Sequence, residues 1–281
     1  MIEIPKKVFT QGETIHVKIN LLNTNLDIIK GTLSLTGNEK AEFTIQSLLG
    51  KKGFHPVWSF FLPSRHIKES QDFLTQTHSL SHIPEGAREE TIILEVPENA
   101  IPSYYGDNGK VIYLIELDLE LENGDRKKEV EQILIDPNYE RSSRSETIEV
   151  NGGHVIIEYI NPLLIDSDNT VEVSTDNLLD IDTLRFVLIG REIVSASGIT
   201  IENKICDLPL GQIHFDTNLK KIPVEFRIPS KLQHDYEGLI SRLEYSIEIN
   251  NVLVRKRIGI SRKYLKKINE IKVNLEYPKT I

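Results

Sequence analysis

Cysteine is almost absent from this chain of 281 residues, since Cys206 is its only one. A single thiol excludes an internal disulfide framework and a zinc site built from several thiolates. Long apolar runs are absent as well, and none approaches the roughly 18 residues that a membrane-spanning helix needs. The opening segment 1–7 lacks the charged-then-apolar order of a signal peptide. We therefore expect a soluble, cytoplasmic protein.

The signatures of common enzyme sites are missing too. The Gly-Lys-Lys-Gly segment at 50–53 lacks the spacing and the following Ser or Thr of a phosphate-binding loop. The chain has no Gly-x-Ser-x-Gly nucleophile elbow. Acid pairs such as Glu89-Glu90 fall on expected surface strands rather than in a cleft. The sequence predicts a protein that is not an enzyme and that uses no cofactor, metal or small-molecule substrate.

What the chain does have is alternation of polar and apolar residues with a period of two. Segments 14–21 and 113–121 show it most clearly, and many similar short segments follow. Turn residues separate them, and the groups at 123–125 (Asn-Gly-Asp) and 250–251 (Asn-Asn) predict hairpins. Two stretches, 64–81 and 261–270, are the candidates for helix. Many short strands with turns at this spacing predict an all-β fold of the β-sandwich type.

An internal repeat sets the number of domains. The segment Ile-Ile-Leu-Glu-Val-Pro at 92–97 resembles Val-Glu-Phe-Arg-Ile-Pro at 224–229, with Pro97 aligned on Pro229. The same offset, carried forward without a gap, aligns Tyr104 with Tyr236 and Tyr113 with Tyr245. An earlier Leu-x-Gly-x-Glu block at 35–39 recurs at 188–192. Two blocks that recur in the same order predict tandem copies of one fold.

The repeat therefore predicts two tandem immunoglobulin-like β-sandwich domains, at 1–136 and 146–281. The segment between them, 137–145, begins with proline, is polar and is short, as expected for a linker of limited reach.

Several of these segments resemble the arrestin-fold superfamily. They are 11–13, 33–39 and 96–113 in the first half and 222–229 and 243–249 in the second. Within 96–113, a Val-Pro, then Ile-Pro-Ser-Tyr-Tyr-Gly, then a strand entered at Tyr113 is closest in wording to the retromer-type cargo adaptors of arrestin fold. These motifs have structural roles: proline at a strand end, glycine in a turn, tyrosine packing at an edge.

The resemblance implies a non-enzymatic adaptor or scaffold that binds cargo tails or coat subunits in protein transport. The net charge of -9 argues against a nucleic-acid partner. Bacterial sporulation-control proteins share the fold, so a structural or stress protein of that type is the first alternative.

Charge is unevenly distributed, and the basic part is a candidate binding site. Segment 255–272 contains eight basic residues and one acidic residue. Such a segment can attract anionic lipid headgroups or acidic peptides, so peripheral contact with an anionic membrane is an expected partnership. Lys263, Lys266 and Lys267 share one face if a helix forms there. The alternative is an edge strand that lysines protect from aggregation. The candidate residues in this segment are Arg255, Lys256, Arg257, Arg262, Lys263, Lys266 and Lys267.

Two further candidates come from the ends of the chain. By resemblance, Lys6 and Lys7 correspond to the paired lysines with which arrestins sense phosphate. The segment 271–277 alternates like a strand beyond the expected sandwich, and the resemblance implies that it docks on the N-terminal domain.

Histidines supply the rival hypothesis, a metal-dependent hydrolase. Four of them, His55, His66, His78 and His82, cluster in a segment that the second repeat lacks. On a helix, His78 and His82 would present two imidazoles on one face, a spacing that metals use. A solvated loop without metal is the other interpretation.

Overall fold

The computed structural model describes residues 2–20, 28–46, 64–81, 89–150, 153–175, 183–215, 221–257 and 260–278, with side chains for all of these except 46 and 253–264. Every regular element in these ranges is a β-strand, which confirms the predicted all-β class.

In the described ranges, the first half of the chain contributes nine strands. They are β1 (Ile2–Glu3), β2 (Val8–Thr10), β3 (Thr14–Asn20), β4 (Ile28–Gln46), β5 (Ser64–Leu80), β6 (Glu89–Glu95), β7 (Tyr104–Tyr105), β8 (Gly109–Leu121) and β9 (Arg126–Asp136).

The second half contributes the remaining strands of the described ranges. They are β10 (Ser142–Val150), β11 (Gly153–Asn161), β12 (Leu163–Leu164), β13 (Asp168–Thr175), β14 (Thr183–Ala196), β15 (Ile199–His214), β16 (Ile222–Arg227), β17 (Tyr236–Glu237), β18 (Ser241–Arg257), β19 (Ile260–Val273) and β20 (Leu275–Glu276).

Both predicted helices are wrong. Nearly all of segment 64–81 forms β5, which pairs antiparallel with β4 along its length. Segment 261–270 lies within β19, which pairs antiparallel with β18. Each of these strands has a single neighbour in the described part of the chain. Because water reaches much of β5, few of its residues are buried and the period-two signal is lost.

The chain divides into two compact units. Unit 1 comprises Met1–Asn138, Val194–Ile201 and Gly238–Arg242, and unit 2 comprises Tyr139–Ile193, Glu202–Glu237 and Leu243–Ile281. Two short segments from the second half of the sequence thus belong to unit 1. The predicted linker bounds at 137 and 145 stay a prediction.

Two complete sheets lie in the described part of unit 1, which also includes short pieces of β14, β15 and β18. The smaller has the strand order β1-β3-β6, and the larger has the order β2-β9-β8-β4-β5, with β7 beside β8. Alternate residues of β3 and β8 are buried, as expected for strands with one face on an apolar core. Fully buried aromatic side chains include Tyr104, Tyr113 and Phe9. This arrangement is consistent with a β-sandwich.

Unit 2 is built mainly from strands of the second half. One sheet has the order β10-β11-β13-β16, and another has the order β15-β14-β18-β17, with β19 beside β18. β12 and β20 form a short parallel pair. Alternate residues of β11 and β13 are buried, again giving each strand one wet and one apolar face.

The two predicted hairpins had different outcomes. The Asn-Gly-Asp turn joins β8 to β9, and Gly124 at its tip has φ +83°, a left-handed conformation that glycine adopts without strain. Asn250 and Asn251 instead lie inside β18, next to an irregularity in its pairing with β19. Their polar side chains are buried, so this pair does not reverse the chain.

The alignment that places Pro97 on Pro229 also places strands of the first half on strands of the second half. β7 begins at Tyr104 and β17 at the aligned Tyr236, while β8 begins at Gly109 and β18 at the aligned Ser241. β6 and β16 also end at aligned residues. The same turn leads into β8 and β18, because in both cases a glycine N–H donates to the carbonyl of the strand's first residue at 2.9 Å.

Candidate partner-binding edges

The outer side of β6 presents main-chain groups that no strand in the described residues pairs with. β6 is an outer strand of the smaller sheet in unit 1. Just beyond it, Val96 donates its N–H to the carbonyl of Glu13 at 2.9 Å, on the side of β3. Peptide groups of successive residues in a strand point alternately to its two sides. Thr91 and Ile93 are an odd number of residues from Val96, so their peptide groups point away from β3.

At the end of β6, a side chain of β5 hydrogen-bonds to peptide groups on the outer side of the strand. Gln76 donates from Nε2 to the carbonyl of Glu95 at 2.6 Å, and its Oε1 accepts the Glu95 N–H at 3.3 Å. The carboxamide thus takes the place of a paired peptide group at this position. In the described ranges, the outward groups of Thr91 and Ile93 have no partner of this kind.

An apolar side chain lies on the wet face of β6. Ile93 is 51% exposed, although its neighbours Ile92 and Leu94 are buried. Across the sheet it lies opposite His16 of β3. A strand added to the open edge would place a side chain beside Ile93 at cross-strand distance, where apolar pairs stabilise a sheet.

Three acidic residues of β6 lie near Ile93, with Glu89 and Glu95 on its face of the sheet and Glu90 on the other face. Glu89 pairs with Lys18 at 2.8 Å, and this hydrogen bond raises the pKa of Lys18. Glu90 and Glu95 form no ion pair with any residue that the structure describes. Within the described part of the chain, the outer edge of β6 therefore combines main-chain groups without a partner, one exposed apolar side chain and a negative charge.

The equivalent edge in unit 2 is blocked. β16 is the outer strand of its sheet, and the carbonyl of Ile228 after it accepts the Asp166 N–H at 2.8 Å on the inner side. Pro223, five residues earlier, therefore has its nitrogen on the outer side. Proline has no N–H to donate, and its ring hinders an incoming strand. Pro223 is aligned with Thr91 by the repeat, so the two edges differ at one equivalent position.

Lys6 and Lys7, the predicted phosphate sensors, both contact carboxylates. Lys6 Nζ lies 2.5 Å from Glu13 Oε1 and 5.1 Å from the centre of the Phe9 ring. Lys7 pairs with Glu131. Burial pushes the pKa of Glu13 up, but Lys6 and a backbone hydrogen bond outweigh it, and the pKa is lowered. An anion at either lysine would have to displace a carboxylate.

The predicted helix face of lysines is a strand. Lys266 and Lys267 are consecutive residues of β19, so their side chains point to opposite faces of the sheet. β19 pairs only with β18 in the described residues, and lysines on such an edge disfavour pairing with other chains. This supports the edge-strand interpretation. The remaining candidates have side chains outside the described residues: Arg255, Lys256, Arg257, Arg262 and Lys263.

Of the two described lysines, one is neutralised. Lys266 is exposed and forms no ion pair with a described residue. Lys267 contacts Glu270, which also accepts hydrogen bonds from Arg191 and Ser246. Burial raises the pKa of Glu270, but Arg191, Lys267 and Ser246 outweigh it and lower the pKa to about 2. These contacts hold β19 against its neighbours in unit 2. They also neutralise the charge of Lys267, which a partner would otherwise meet.

The histidines do not form a metal site in the described ranges. His66 Nε2 lies 3.1 Å from Glu42, and its Nδ1 lies 3.3 Å from Thr44 Oγ1. His78 lies in β5, so the predicted helical spacing with His82 is wrong. His55 and His82 lie outside the described residues. No group of three metal-binding side chains occurs among those described.

Sequence reasoning missed a buried carboxylate in unit 1. Glu39 of β4 is fully buried and accepts the backbone N–H groups of Leu239 at 2.6 Å, Ile240 at 3.1 Å and Ser241 at 2.7 Å. The Ser241 hydroxyl donates to it at 2.6 Å. A Cβ at Gly238 would overlap the carboxylate, which explains the glycine there. Four donors compensate a charge that would otherwise be costly to bury.

The internal repeat in the sequence indicates that this carboxylate has a structural role. Glu39 closes the Leu-x-Gly-x-Glu block, and Glu192 closes the recurring block. Both are fully buried. A glutamate kept at equivalent positions in both repeats indicates a structural anchor.

A second polar network holds the C-terminal segment in unit 2. Asp235 accepts the Leu275 N–H at 2.6 Å, the Asn274 carboxamide at 2.6 Å and the Tyr139 hydroxyl at 2.9 Å. Asn274 is also paired with Asn161 through two hydrogen bonds. Burial raises the pKa of Asp235.

The predicted docking of 271–277 on the N-terminal domain is wrong. Residues 271–273 complete β19, where Val273 lies opposite Tyr245. β20 pairs in parallel with β12, with Leu275 opposite Leu163. All of these residues belong to unit 2. The segment is therefore part of the fold of that unit.

Comparison with known proteins adds no relative to this picture. A scan against models of protein families gives no match, and a search of curated proteins finds no similar sequence. The described residues include no helix with the length and apolar character needed to cross a membrane.

Proposed function

We propose that this protein is a non-enzymatic adaptor of arrestin-like architecture that binds extended segments of partner proteins. The observation that carries the proposal is the outer edge of β6, where the peptide groups of Thr91 and Ile93 point outward without a described partner. An extended segment pairs with such groups by adding a strand to the sheet.

Strand addition suits an adaptor for a physical reason. Main-chain hydrogen bonds form with any sequence, so they supply affinity without demanding one partner. Side chains of the added segment alternate between the two faces, and only those beside Ile93 discriminate between sequences. The short β6 limits the pairing to a few residues, as expected for reversible binding.

The arrestin-like part of the proposal is supported by the repeat. Equivalent strands begin at aligned residues, and the glycine turn before β8 recurs before β18. Tyr113 in β8 donates its hydroxyl to the Ile101 carbonyl at 2.6 Å. The equivalent Tyr245 in β18 is also fully buried. Both features suit two tandem sandwiches related by duplication.

Affinity purification with a matched pair of variants tests this function. The full chain, its Thr91→Pro variant and its Glu225→Pro variant serve as baits, with captured proteins identified by mass spectrometry. Thr91→Pro removes an outward donor from β6, and Pro223 suggests that such an edge tolerates proline. Glu225→Pro places the same residue on the outer side of β16.

The expected result is a set of proteins captured by the wild type and by Glu225→Pro but lost with Thr91→Pro. Capture that is equal for all three baits would leave an adaptor that uses another surface. Absence of any protein captured above the level of an unrelated bait would overturn the adaptor function.

A further inference from the structure

The structure also indicates which chemical class of segment the β6 edge selects, an inference that rests on the proposed function. Gln76 occupies the outward peptide groups of Glu95, so an added strand meets the side chain of β5 there. Main-chain pairing is therefore confined to the stretch from Glu89 to Ile93, and residues of a bound segment beyond Ile93 stay unpaired. This space admits a strand of about five residues.

Within that stretch, one position offers apolar surface. Ile93 is the half-exposed side chain on the wet face of β6, close to the end of the free edge. The residue of an added strand that lies directly opposite Ile93 has its Cβ about 5 Å away. A β-branched or other apolar residue gains most from that contact.

Charge limits the choice at both ends of the stretch. Glu95, just beyond one end, lies on the face of Ile93, and Glu90, near the other end, lies on the opposite face. Neither has an ion pair with a described residue, whereas Glu89 is compensated by Lys18. A segment with lysine or arginine beside its paired residues gains attraction, and an acidic segment is repelled. The chain outside β6 adds to this field, since residues 1–140 contain 14 basic and 22 acidic side chains.

We infer that the β6 edge binds short extended segments that have an apolar residue opposite Ile93 and basic residues on either side. The occupant is a segment of a partner protein. A second copy of this chain is the competing occupant, because its own β19 is basic.

Fluorescence anisotropy with three labelled seven-residue peptides tests this inference. The first has valine at the centre, a lysine two residues away on each side and threonine at the other positions, so the lysines lie on the same face as the valine. The second replaces both lysines with glutamate, and the third replaces the valine with serine. The symmetric design makes the result independent of strand direction. All titrations use the full chain at low and at physiological salt.

The lysine–valine peptide should bind about tenfold more tightly than the glutamate peptide at low salt, with a smaller difference at higher salt. The serine peptide should bind about threefold to tenfold more weakly than the valine peptide. Glu95→Lys should reduce the preference for the lysine peptide. Thr91→Pro should weaken binding of the lysine–valine peptide about tenfold or more, and Glu225→Pro should not.

Failure of this inference is distinguishable from failure of the adaptor function. Equal binding of lysine and glutamate peptides overturns the charge selection, while loss of binding with Thr91→Pro would still support the edge. Binding unchanged by Thr91→Pro overturns the edge as the peptide site, even if purification captures partners. Concentration-dependent dimers that Thr91→Pro disperses would overturn a partner segment in favour of a second copy. Thermal unfolding of each variant, unchanged within a few degrees, verifies that it is folded.

Discussion

Thr91 and Pro223 occupy equivalent outward positions on two equivalent edge strands, and only one of them can donate a hydrogen bond. Proline at an edge is a known protection against pairing with other chains. The protein thus has a proline on one edge, whereas no described strand covers the equivalent edge. The edge of β16 therefore serves as an internal control for experiments on the edge of β6.

Opening the protected edge should cause self-association. In Pro223→Thr, β16 regains an outward N–H and loses the ring that hinders an incoming strand. We expect the association constant to rise about tenfold, corresponding to one or two added hydrogen bonds. Sedimentation velocity over a range of concentrations measures this. Glu225→Thr retains Pro223 and should sediment like the wild type. Identical profiles for Pro223→Thr and wild type would show that proline is not the barrier.

Removing the charge of Glu39 should destabilise unit 1. In Glu39→Gln, a carboxamide replaces one acceptor oxygen, and its NH2 group faces backbone donors. We expect the free energy of unfolding to fall by about 2–4 kcal/mol, measured by urea denaturation. Glu42→Gln on the same strand removes an exposed carboxylate and should change stability little. Equal stability of the Glu39→Gln variant and the wild type would mean that the four hydrogen bonds contribute nothing net.

The low pKa of Glu270 predicts a specific dependence of stability on pH. The folded pKa is about 2 and the ordinary value is 4.5, so the carboxylate stabilises the fold above pH 4.5. That contribution is lost as the pH falls from about 4.5 toward 2. Glu270→Gln should therefore be less stable than the wild type at pH 7, with a difference that shrinks below pH 4.5.

The control for this effect uses the same arginine. Glu202→Gln removes an exposed carboxylate whose Oε1 lies 3.3 Å from Arg191 Nε. It should show a smaller change at both pH values because solvent screens this pair. Chemical denaturation at pH 7 and pH 3 provides the comparison. A deficit of Glu270→Gln that is independent of pH would contradict the assignment.

Weakening the Asp235 network should release the C-terminal segment locally. Asp235→Asn replaces one acceptor oxygen with a donor, so either Leu275 loses its acceptor at Oδ1 or Asn274 and Tyr139 lose theirs at Oδ2. We expect faster hydrogen exchange at 274–277, corresponding to about 1–3 kcal/mol of lost protection, with little change in β11. Asp168→Asn, an exposed change on β13, should leave exchange at 274–277 unaltered. Unchanged exchange in Asp235→Asn would show that β20 is held by its other contacts.

The success of the sequence patterns depended on burial. β8 alternates buried and half-buried residues along most of its length, so its period of two predicted a strand correctly. Most residues of β5 are exposed to solvent, and β19 has lysines at consecutive positions. Neither strand therefore shows the alternation of polar and apolar residues that one buried face produces. Edge strands were therefore the elements that the pattern failed to identify.

The candidate sites show a second limit. The repeat drew attention to the block that ends at Glu39, but its donors lie far along the chain in the second half, where no local pattern connects them. Pro223 is visible in the sequence, whereas the direction of its nitrogen follows only from the register of β16 with β13. The basic segment was conspicuous as charge, but the structure pairs Lys267 with Glu270.

The composition of unit 1 has a consequence for synthesis of the chain. Its apolar cluster joins Ala41, Phe43 and Ile67 to Val194, Ala196 and Ile240. When residues 1–138 have been synthesised, two segments of unit 1 have not yet been translated: Val194–Ile201 and Gly238–Arg242. During that interval Glu39 has none of its four donors, and the cluster is incomplete. Unit 1 reaches its final state only after most of unit 2 has been translated, so a fragment ending at Asn138 is expected to expose apolar surface and to need a chaperone.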